Sequence, residues 1–376
     1  MDVKITNKVK QKEGFLASIP TPFPPEGIFV VPQNLMIKAT QADRLIGKLD
    51  GITQTLPDIE FFLKMYVAKD ATSSAQIEGT KATLIEAIEM EAKIEGKETD
   101  AEDILFYIKA LNYGIKRSED FPFSLRFIRE IHSVLMKGAR SSHFSDPGEF
   151  RKSQNWIGGT RPSDASFVPP PVDDMQFALN DFEKFLYDES STVPLIHVAL
   201  THAQFETIHP FLDGNGRTGR LLITLLLYKR GLLEHPVLFL SSFFKKHQKV
   251  YYSKLDGYHN GQVEDWLNFF LDGIMETANE SILISKKIRK IRDEDMDKLI
   301  SLAKRESESG VEVLKKLYST PIITTKIIMA WTGFSRAGAQ KLIDRFRSLG
   351  ILEIVDEKSE YDRKYKYKKY IDAFLG

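Results

Sequence analysis

Apolar residues recur at intervals of three and four along most of the chain, which is the spacing of amphipathic helices. The period is clear at Ala39, Ala42, Leu45, Ile46 and Leu49, and again at Phe127, Ile128, Ile131, Val134 and Leu135. Between positions 221 and 227 the apolar residues are almost continuous, so a helix there would be buried on all sides. The pattern therefore predicts a mainly α protein.

The predicted helices cover roughly 35–50, 57 to beyond 65, 83–93, 100–113, 127–135, 173–187, 193–207 and 217–230, with further helices through 251–252 and 266–288. Five prolines between positions 15 and 34 predict an extended arm on the surface. A turn at 112–114 is indicated by Asn112 and Gly114. Ser73 or Ser74 is a candidate N-cap of a short helix that Gly79 would end.

Residues 148–171 do not follow the helical period. A short extended run at 155–157 is followed by two glycines, a polar loop and Phe167–Val–Pro–Pro–Pro171. This order predicts a small β-hairpin, or flap, within the helical chain.

The composition changes near residue 290, where a basic run is followed by acidic and polar residues. Beyond it, three helices (311–318, 324–331, 335–349) and two strands (351–355, 364–371) are predicted, which is the plan of a winged helix-turn-helix. We therefore divide the chain into an N-terminal arm and helical region (1–118), a core (119–290) and a winged helix domain (291–376).

Composition excludes several classes of function. The 376 residues include 52 Lys and Arg, 52 Asp and Glu and no Cys, so thiol catalysis, disulfides and Cys-based zinc sites are ruled out. With zero net charge, no global field attracts nucleic acid. The first fourteen residues are polar, and the apolar run 221–228 is too short to span a bilayer. A cytoplasmic protein without a membrane partner is expected.

Candidate chemistry is concentrated in one stretch of twelve residues, from His209 to Arg220. A helical segment precedes it and a helix follows, so the amides of Gly214, Asn215 and Gly216 should lie at a helix N-terminus. Such amides bind anions, and flanking glycines let a phosphate approach the backbone closely.

The charged residues of the stretch complete a nucleotide site. Arg217 and Arg220 lie three apart on one helix face, which suits a polyphosphate. Asp213 can hold Mg²⁺. His209, with a usual pKa of about 6.5, is a natural base for a hydroxyl. The stretch predicts an ATP site with a base directed at an incoming hydroxyl.

Other interpretations of the same residues are weaker. Gly214, Gly216 and Gly219 match the dinucleotide fingerprint, with Glu234 at the position of its acid, but the preceding segment is helical rather than a strand. A lone His after a helix is often structural, and surface arginines are common. His197 and His202 are five apart, which is the wrong spacing for two metal ligands on one helix face, so we interpret them as packing residues.

The twelve residues resemble the signature of the Fic family (His-x-Phe-x-[Asp/Glu]-Gly-Asn-Gly-Arg-x-x-Arg) at every defined position. The resemblance implies a helical fold and transfer of AMP from ATP to a Ser, Thr or Tyr hydroxyl of a protein. By matching positions, His209 would be the base and Asp213 the Mg²⁺ ligand. The hairpin at 148–171 would be the flap that aligns a target segment by strand addition.

The remaining roles also follow from the resemblance. The turn Gly214–Gly216, with the Asn215 side chain, would hold the α-phosphate, and Arg217 and Arg220 would hold the β- and γ-phosphates. Phe211 would anchor the loop. Tyr251 or Tyr252 would border the adenine, although paired aromatic residues on a helix are usually core.

A second motif, Ser74–Ala–Gln–Ile–Glu78–Gly79, matches the family's inhibitory pattern [Ser/Thr]-x-x-x-Glu-[Gly/Asn]. The resemblance implies that Glu78 pairs with Arg220, removes the partner of the γ-phosphate and repels ATP. Some relatives use this glutamate to remove AMP again, so a second role stays open. The alternative is a capped surface helix with a solvated glutamate.

Two further alternatives remain. The third helix of the winged unit would carry Ser335, Arg336, Gln340, Lys341 and Arg345, beside a basic wing at 363–369. A second hypothesis is therefore a nucleotide-sensing DNA-binding regulator that acts through 292–376. Transfer of a phosphoryl group instead of AMP is a third, but relatives with that activity depart from the glycines at Gly214 and Gly216. A homodimer is also compatible with the resemblance.

Overall fold

A computed structural model describes residues 3–56, 59–92, 101–137, 146–188, 192–302, 304–355 and 363–375. The prediction of a mainly α protein is confirmed. The helices are α1 (Gln33–Gln54), α2 (Ile59–Ile77), α3 (Leu84–Glu91), α4 (Ala101–Asp120), α5 (Leu125–Met136), α6 (Val172–Tyr187), α7 (Pro194–Ile208), α8 (Asn215–Lys229), α9 (Ser241–Lys246), α10 (Gln248–His259), α11 (Val263–Ile300), α12 (Lys304–Ser319), α13 (Thr325–Thr332), α14 (Arg336–Ser348) and α15 (Lys368–Leu375). The strands are β1 (Thr6–Lys10), β2 (Leu16–Pro20), β3 (Ile322–Thr324), β4 (Glu353–Ile354) and β5 (Lys364–Lys366).

Helices α7 and α8 lie at the centre of the core. Every residue of α7 from Leu195 to Ile208 is buried, and α8 is buried almost continuously from Arg217 to Leu227. This matches a sequence without a polar face. Helices α4, α5, α6, α10 and α11 pack against this pair, so the turn between α7 and α8 is held from several sides.

The N-terminal segment differs from the predicted extended arm. Strands β1 and β2 form an antiparallel hairpin in which Thr6 pairs with Pro20 and Lys10 with Leu16. The amide of Ser18 also donates to the carbonyl of Val168, at 2.8 Å. The prolines that suggested an arm lie almost entirely beyond β2, which is why the hairpin escaped the prediction. Helix α1 follows and packs along α11.

Helix α2 continues through the position where a new helix was expected to start. The N-cap prediction for Ser73 or Ser74 is wrong, because both residues lie in the interior of α2. Gly79, with φ of 92°, follows the end of the helix as predicted. Asp70 of α2 accepts hydrogen bonds from the Tyr107 hydroxyl (2.7 Å) and the Ser241 amide (3.1 Å), so α2 is bound to α4 and α9.

Helix α4 also extends past a predicted turn, at 112–114. A Cβ on Gly114 would lie 2.6 Å from Cδ1 of Ile131 and 2.7 Å from Cδ1 of Leu225. Gly114 therefore allows α4 to pack closely against α5 and α8, and it does not mark a chain reversal.

The C-terminal unit has the winged helix plan with one correction. Helices α12, α13 and α14 pack with a three-stranded antiparallel sheet of order β3-β5-β4. The predicted second strand, 364–371, ends at Lys366, and residues from Lys368 form α15. Burial follows helical spacing at Tyr367, Tyr370, Ile371 and Phe374. The alternation of tyrosine and lysine around 365 and 367 concealed this helical pattern in the sequence.

The composition change near residue 290 lies inside α11, which runs unbroken from Val263 to Ile300. It therefore does not coincide with the end of an element, and the division at 118 and 290 stays a prediction. Within the described residues, no helix combines the length and apolar character needed to cross a membrane.

Candidate functional site

The turn that joins α7 to α8 contains two residues with left-handed backbone. His209, the C-cap of α7, has φ 50° and ψ 60°, and Gly214, the N-cap of α8, has φ 76°. Among the described residues, His209 is the one non-glycine residue with positive φ. Nε of Arg151 donates to its carbonyl at 3.0 Å. A strained backbone held by its surroundings is common at functional sites.

Asn215 closes the turn. Its Oδ1 accepts from the amide of Phe211 at 2.9 Å, and its Nδ2 donates to the carbonyl of the same residue at 2.8 Å. Both polar atoms of the side chain are thus bonded to the turn itself. In this structure the Asn215 side chain braces the turn, and its contact with the α-phosphate stays a prediction.

The carboxylate of Glu78 lies against the backbone at the start of α8, where the sequence predicts an anion site. A Cβ on Gly216 would come within 2.5 Å of Oε1 of Glu78 and 3.0 Å of Nη1 of Arg220. The absent side chain is what allows this approach. The carboxylate of Glu78 therefore lies where the amides of a helix N-terminus favour negative charge.

Arg220 connects Glu78 to α2 by three contacts. Nη2 lies 2.6 Å from Oε1 of Glu78 and donates to the carbonyl of Ser74 at 3.1 Å, while Nε donates to Oγ of Ser74 at 2.9 Å. Burial lowers the pKa of Arg220, but Glu78 together with Tyr251 and Tyr107 outweighs burial, and the pKa is raised. The guanidinium of Arg220 is therefore charged, buried and hydrogen-bonded to α2.

Arg217 lies on the other side of the turn between two carboxylates. Its Nη2 is 3.5 Å from Oδ2 of Asp213, and its Nη1 is 3.7 Å from Oδ1 of Asp103. Asp103 comes from the first turn of α4 and was missed by the sequence analysis, because nothing in the local sequence links it to the motif.

His209 is largely enclosed. Burial, followed by the charge of Arg151, lowers the pKa of its imidazole to about 4. The ring is therefore neutral at neutral pH, which is the state that a base requires. Nδ1 lies 3.7 Å from Oε2 of Glu206. The sequence analysis did not single out Glu206, although its position three residues before His209 on α7 places both on one helix face.

The floor of the turn is formed by aromatic packing. Phe211 is fully buried, as predicted for an anchor, and stacks on the imidazole of His132 with 3.6 Å between ring centroids. Nε2 of His132 is 2.9 Å from the carbonyl of Asp213. Asn155 of the flap donates to the carbonyl of Phe211 at 2.8 Å, so the flap and α5 both fix the turn.

The predicted flap is present as a short hairpin with one β-bridge, between Ile157 and Phe167. The amide of Ile157 donates to the carbonyl of Phe167 at 2.8 Å. Trp156 and Ile157 are each 39% exposed, so the predicted extended run lies at the surface, next to the residue that contacts the turn.

The structure separates the two candidate adenine residues. Tyr251 is buried, its hydroxyl is 2.8 Å from Nε2 of His202, and it packs on Phe244. Tyr251 therefore packs as a core residue, and a role for it at the adenine stays a prediction. Tyr252 is about half exposed, and its role at the adenine stays a prediction. His197 is also buried, with Nε2 2.8 Å from the carbonyl of Phe185, which agrees with packing.

No group of three or more metal-ligating side chains occurs among the residues that the structure describes. Asp213 offers a single carboxylate, 44% exposed, with Oδ1 accepting from the Gly214 amide at 2.6 Å. Mg²⁺ typically binds through one or two carboxylates, substrate phosphates and water. One partly exposed carboxylate beside an anion site therefore fits this ion.

Comparison of the sequence with known proteins gives two matches to one family. Residues 122–227 match the Fic/DOC family, and residues 36–116 match the N-terminal region of that family. The chain is 31% identical over 211 residues to Protein adenylyltransferase Fic of Aedes aegypti and 30% identical to that of Culex quinquefasciatus. Each match covers 53% of this chain but 38% of the relative, so the chain matches well under half of those proteins' length.

The fold is also found in solved structures. A Fic family protein from Desulfovibrio desulfuricans superimposes with a TM-score of 0.56 at 19% identity, over 92% of this chain and 97% of the other. A Fic domain containing signaling protein from Bacteroides thetaiotaomicron gives a TM-score of 0.54 at 17% identity, over 65% and 97%. These structures show that the fold is shared, and the two family matches show that the chain belongs to the Fic/DOC family.

Proposed function

We propose that this protein is a protein adenylyltransferase, which transfers AMP from ATP to a Ser, Thr or Tyr hydroxyl of a protein, and that Glu78 holds it in a resting state. The main observation behind the proposal is that one turn brings a candidate base next to a candidate anion site. His209 ends α7, the amides of Gly214–Gly216 begin α8, and Arg217 and Arg220 flank them. The name of the insect relatives supports the same reaction.

In the proposed reaction, His209 accepts the proton of the acceptor hydroxyl. The hydroxyl oxygen forms a bond to the α-phosphorus of ATP, the bond between that phosphorus and the bridging oxygen breaks, and pyrophosphate leaves. Backbone amides at the start of α8 stabilise the charge on the phosphate oxygens. Asp213 would hold Mg²⁺, which neutralises phosphate charge when bound.

The resting state follows from the ion pair between Glu78 and Arg220. While Nη2 of Arg220 is bonded to Glu78, it is not available to the γ-phosphate, and the carboxylate over Gly216 repels an incoming phosphate. ATP would then bind in a pose that is unsuited to transfer. Whether Glu78 also supports removal of AMP is tested by incubating AMP-modified protein with each variant.

The acceptor side is assigned to the flap. The exposed run at 155–157 offers backbone groups for a strand of the target, which is recognition by strand addition. Because backbone pairing carries little sequence information, the target is best identified by mass spectrometry of a lysate incubated with ATP and the Glu78→Gly variant. A homodimer and a cytoplasmic location stay predictions.

The DNA-binding alternative receives less support. The strand of the predicted basic wing ends at Lys366, and three of the wing's lysines lie next to carboxylates. Lys364 is 3.3 Å from Glu89, Lys368 is 2.6 Å from Asp372, and Lys369 contacts Asp295. Such pairs reduce the positive charge available to phosphates. A gel shift of the full chain against salt tests the alternative directly.

The proposal is tested with ATP labelled on the α- or γ-phosphate. We expect Glu78→Gly to raise AMP incorporation roughly 10- to 100-fold, because a hydrogen-bonded charge pair contributes about 1.5–3 kcal/mol, and His209→Ala in that background to abolish it. Only the α-label should be retained. Gln76→Gly is the matched control, since it places glycine in the same helix end but keeps Glu78. Retention of the γ-label, or activity that survives His209→Ala, would refute AMP transfer by this site.

A further inference from the structure

Glu206 is the acidic residue nearest to the imidazole of His209, and its environment is unusual for a carboxyl group. Its Oε2 is 3.7 Å from Nδ1 of His209, and the side chain is buried. Within the described residues, Oε1 of Glu206 and Nδ1 of His209 are both buried without a hydrogen-bond partner. These two atoms lie on side chains that face each other, and the backbone of Glu206 also interacts with His209 and raises its pKa.

The space for this carboxyl group is provided by Gly219 of α8. A Cβ at Gly219 would lie 2.4 Å from Oε1 of Glu206 and 3.2 Å from Nδ1 of His202. Any side chain at position 219 would therefore displace Glu206. The sequence thus combines a buried acid on α7 with a glycine on α8 that accommodates it.

Burying a carboxyl group without a partner is unfavourable, and an apolar residue or glutamine would fill the same space at lower cost. A role in packing alone does not explain the acid. A carboxylate beside the second nitrogen of a catalytic histidine has a known chemical use: it fixes the tautomer and stabilises the imidazolium that forms.

The charges around Glu206 change when Glu78 leaves. Burial raises the pKa of Glu206 to about 8, Arg220 opposes this, and Glu78 adds to it. Removal of Glu78 therefore lowers the pKa of Glu206 and favours its carboxylate form. The other titratable groups near the pair include His202, Tyr251, Tyr252, His259, Arg151 and Asp213.

We propose that Glu206 is a positioning residue for His209: its carboxyl group accepts the Nδ1 proton of the imidazole, which leaves Nε2 free to accept the proton of the acceptor hydroxyl. The inference rests on the proposed function for the identity of that hydroxyl. The 3.7 Å separation shortens to a hydrogen bond when substrate is bound, since such contacts are often long in the unliganded enzyme. After transfer, the proton from the hydroxyl is on Nε2 and the imidazolium is paired with Glu206.

The kinetic test compares variants in the active Glu78→Gly background. Glu206→Gln should lower kcat about 100-fold or more with little change in the KM for ATP, because Glu206 does not contact the nucleotide. The acidic limb of the kcat profile should move to lower pH, since the imidazolium loses its carboxylate partner. Glu206→Asp should restore part of kcat. Thr207→Val, whose hydroxyl donates to the carbonyl of Ala203, controls for disturbance of the last turn of α7.

A second measurement does not depend on turnover. The chain has 8 histidines, and ¹⁵N-histidine NMR of the Glu78→Gly protein, with His209→Ala to assign the signal, reports the tautomer and pKa of His209. The proton is expected on Nδ1, and Glu206→Gln should move it to Nε2 and lower the pKa. An unchanged tautomer and pKa would overturn the positioning role. Loss of AMP transfer in Glu78→Gly itself would instead refute the proposed function, while the NMR result still decides the role of Glu206.

Discussion

At the scale of single residues, Asn215 illustrates what a motif leaves undetermined. The sequence places it between two glycines at an anion site, which suggested a contact with phosphate. Its polar atoms bond to Phe211 in this structure, which depends on how the turn folds back on itself, and a contact with phosphate stays a prediction. The pairing of Arg220 with Glu78 was expected from the resemblance of the two motifs, and the structure contains this ion pair. Asp103 could not be assigned from the motif, since packing of α4 brings it to Arg217, whereas the spacing of Glu206 from His209 was a local signal.

The bracing role of Asn215 predicts a measurable loss of stability. Asn215→Ala leaves the buried amide of Phe211 without an acceptor, while the carbonyl keeps its bond from Asn155. We expect the free energy of unfolding to fall by about 1–3 kcal/mol, measured by urea denaturation. Asn279→Ala, on the exposed face of α11 where the side chain bonds to the carbonyl of Met275, should change it by less than about 0.5 kcal/mol. Equal stability of the two variants would contradict the brace.

At the scale of elements, the predicted spans of α5 to α8 agree with the structure within a few residues, because their apolar period is strong and their ends carry turn residues. The errors have different causes. Helix α2 continues past Ser73 and Ser74 because a tertiary partner overrides local preference, whereas the alternation at 365 and 367 concealed α15. Ser74 is favourable in a helix interior here since Arg220, distant in sequence, donates to it.

The hydrogen bonds of Ser74 predict a graded release of the resting state. Ser74→Ala removes the acceptor of Nε of Arg220 but leaves the ion pair with Glu78. AMP incorporation should therefore rise, but by less than in Glu78→Gly: about 3- to 10-fold if the bond contributes close to 1 kcal/mol. The measurement is initial incorporation from α-labelled ATP. Thr72→Val is the control, because its hydroxyl bonds to Ala68 within α2. A Ser74→Ala protein as active as Glu78→Gly would show that Ser74, not the ion pair, maintains the resting state.

At the scale of the whole molecule, the C-terminal unit packs on the helix that leads to Glu78. We call Phe62, Tyr66, Tyr318, Tyr370 and Phe374 the aromatic cluster. Phe62 of α2 contacts Tyr318 with 4.8 Å between ring centroids, and Tyr66 contacts Phe374 edge-on at 5.0 Å. Asp295 of α11 accepts from the Tyr367 hydroxyl at 2.5 Å, which fixes the end of β5 to the long helix. The position of α2 therefore depends on α12 and α15 as well as on Arg220.

Loosening the aromatic cluster should raise activity at a distance. Phe374→Ala removes the ring that packs on Tyr66 and is expected to cost about 3–5 kcal/mol of stability. Because Tyr66 and Glu78 lie on or directly after the same helix, the ion pair with Arg220 should open more often, and AMP incorporation should rise on the order of 3- to 10-fold. In the Glu78→Gly background the same substitution should give no further rise, since the contact that it weakens is already absent.

Phe346→Ala provides the comparison that separates coupling from general destabilisation. Phe346 is also fully buried in the C-terminal unit, on α14, and is not part of the aromatic cluster on α2. Both variants should show similar falls in Tm by calorimetry, but only Phe374→Ala should raise incorporation. If the two variants raise activity equally, the effect comes from loss of stability alone. If neither does, Arg220 and the packing of α2 on α4 and α9 suffice to hold Glu78, and the C-terminal unit is independent of the resting state.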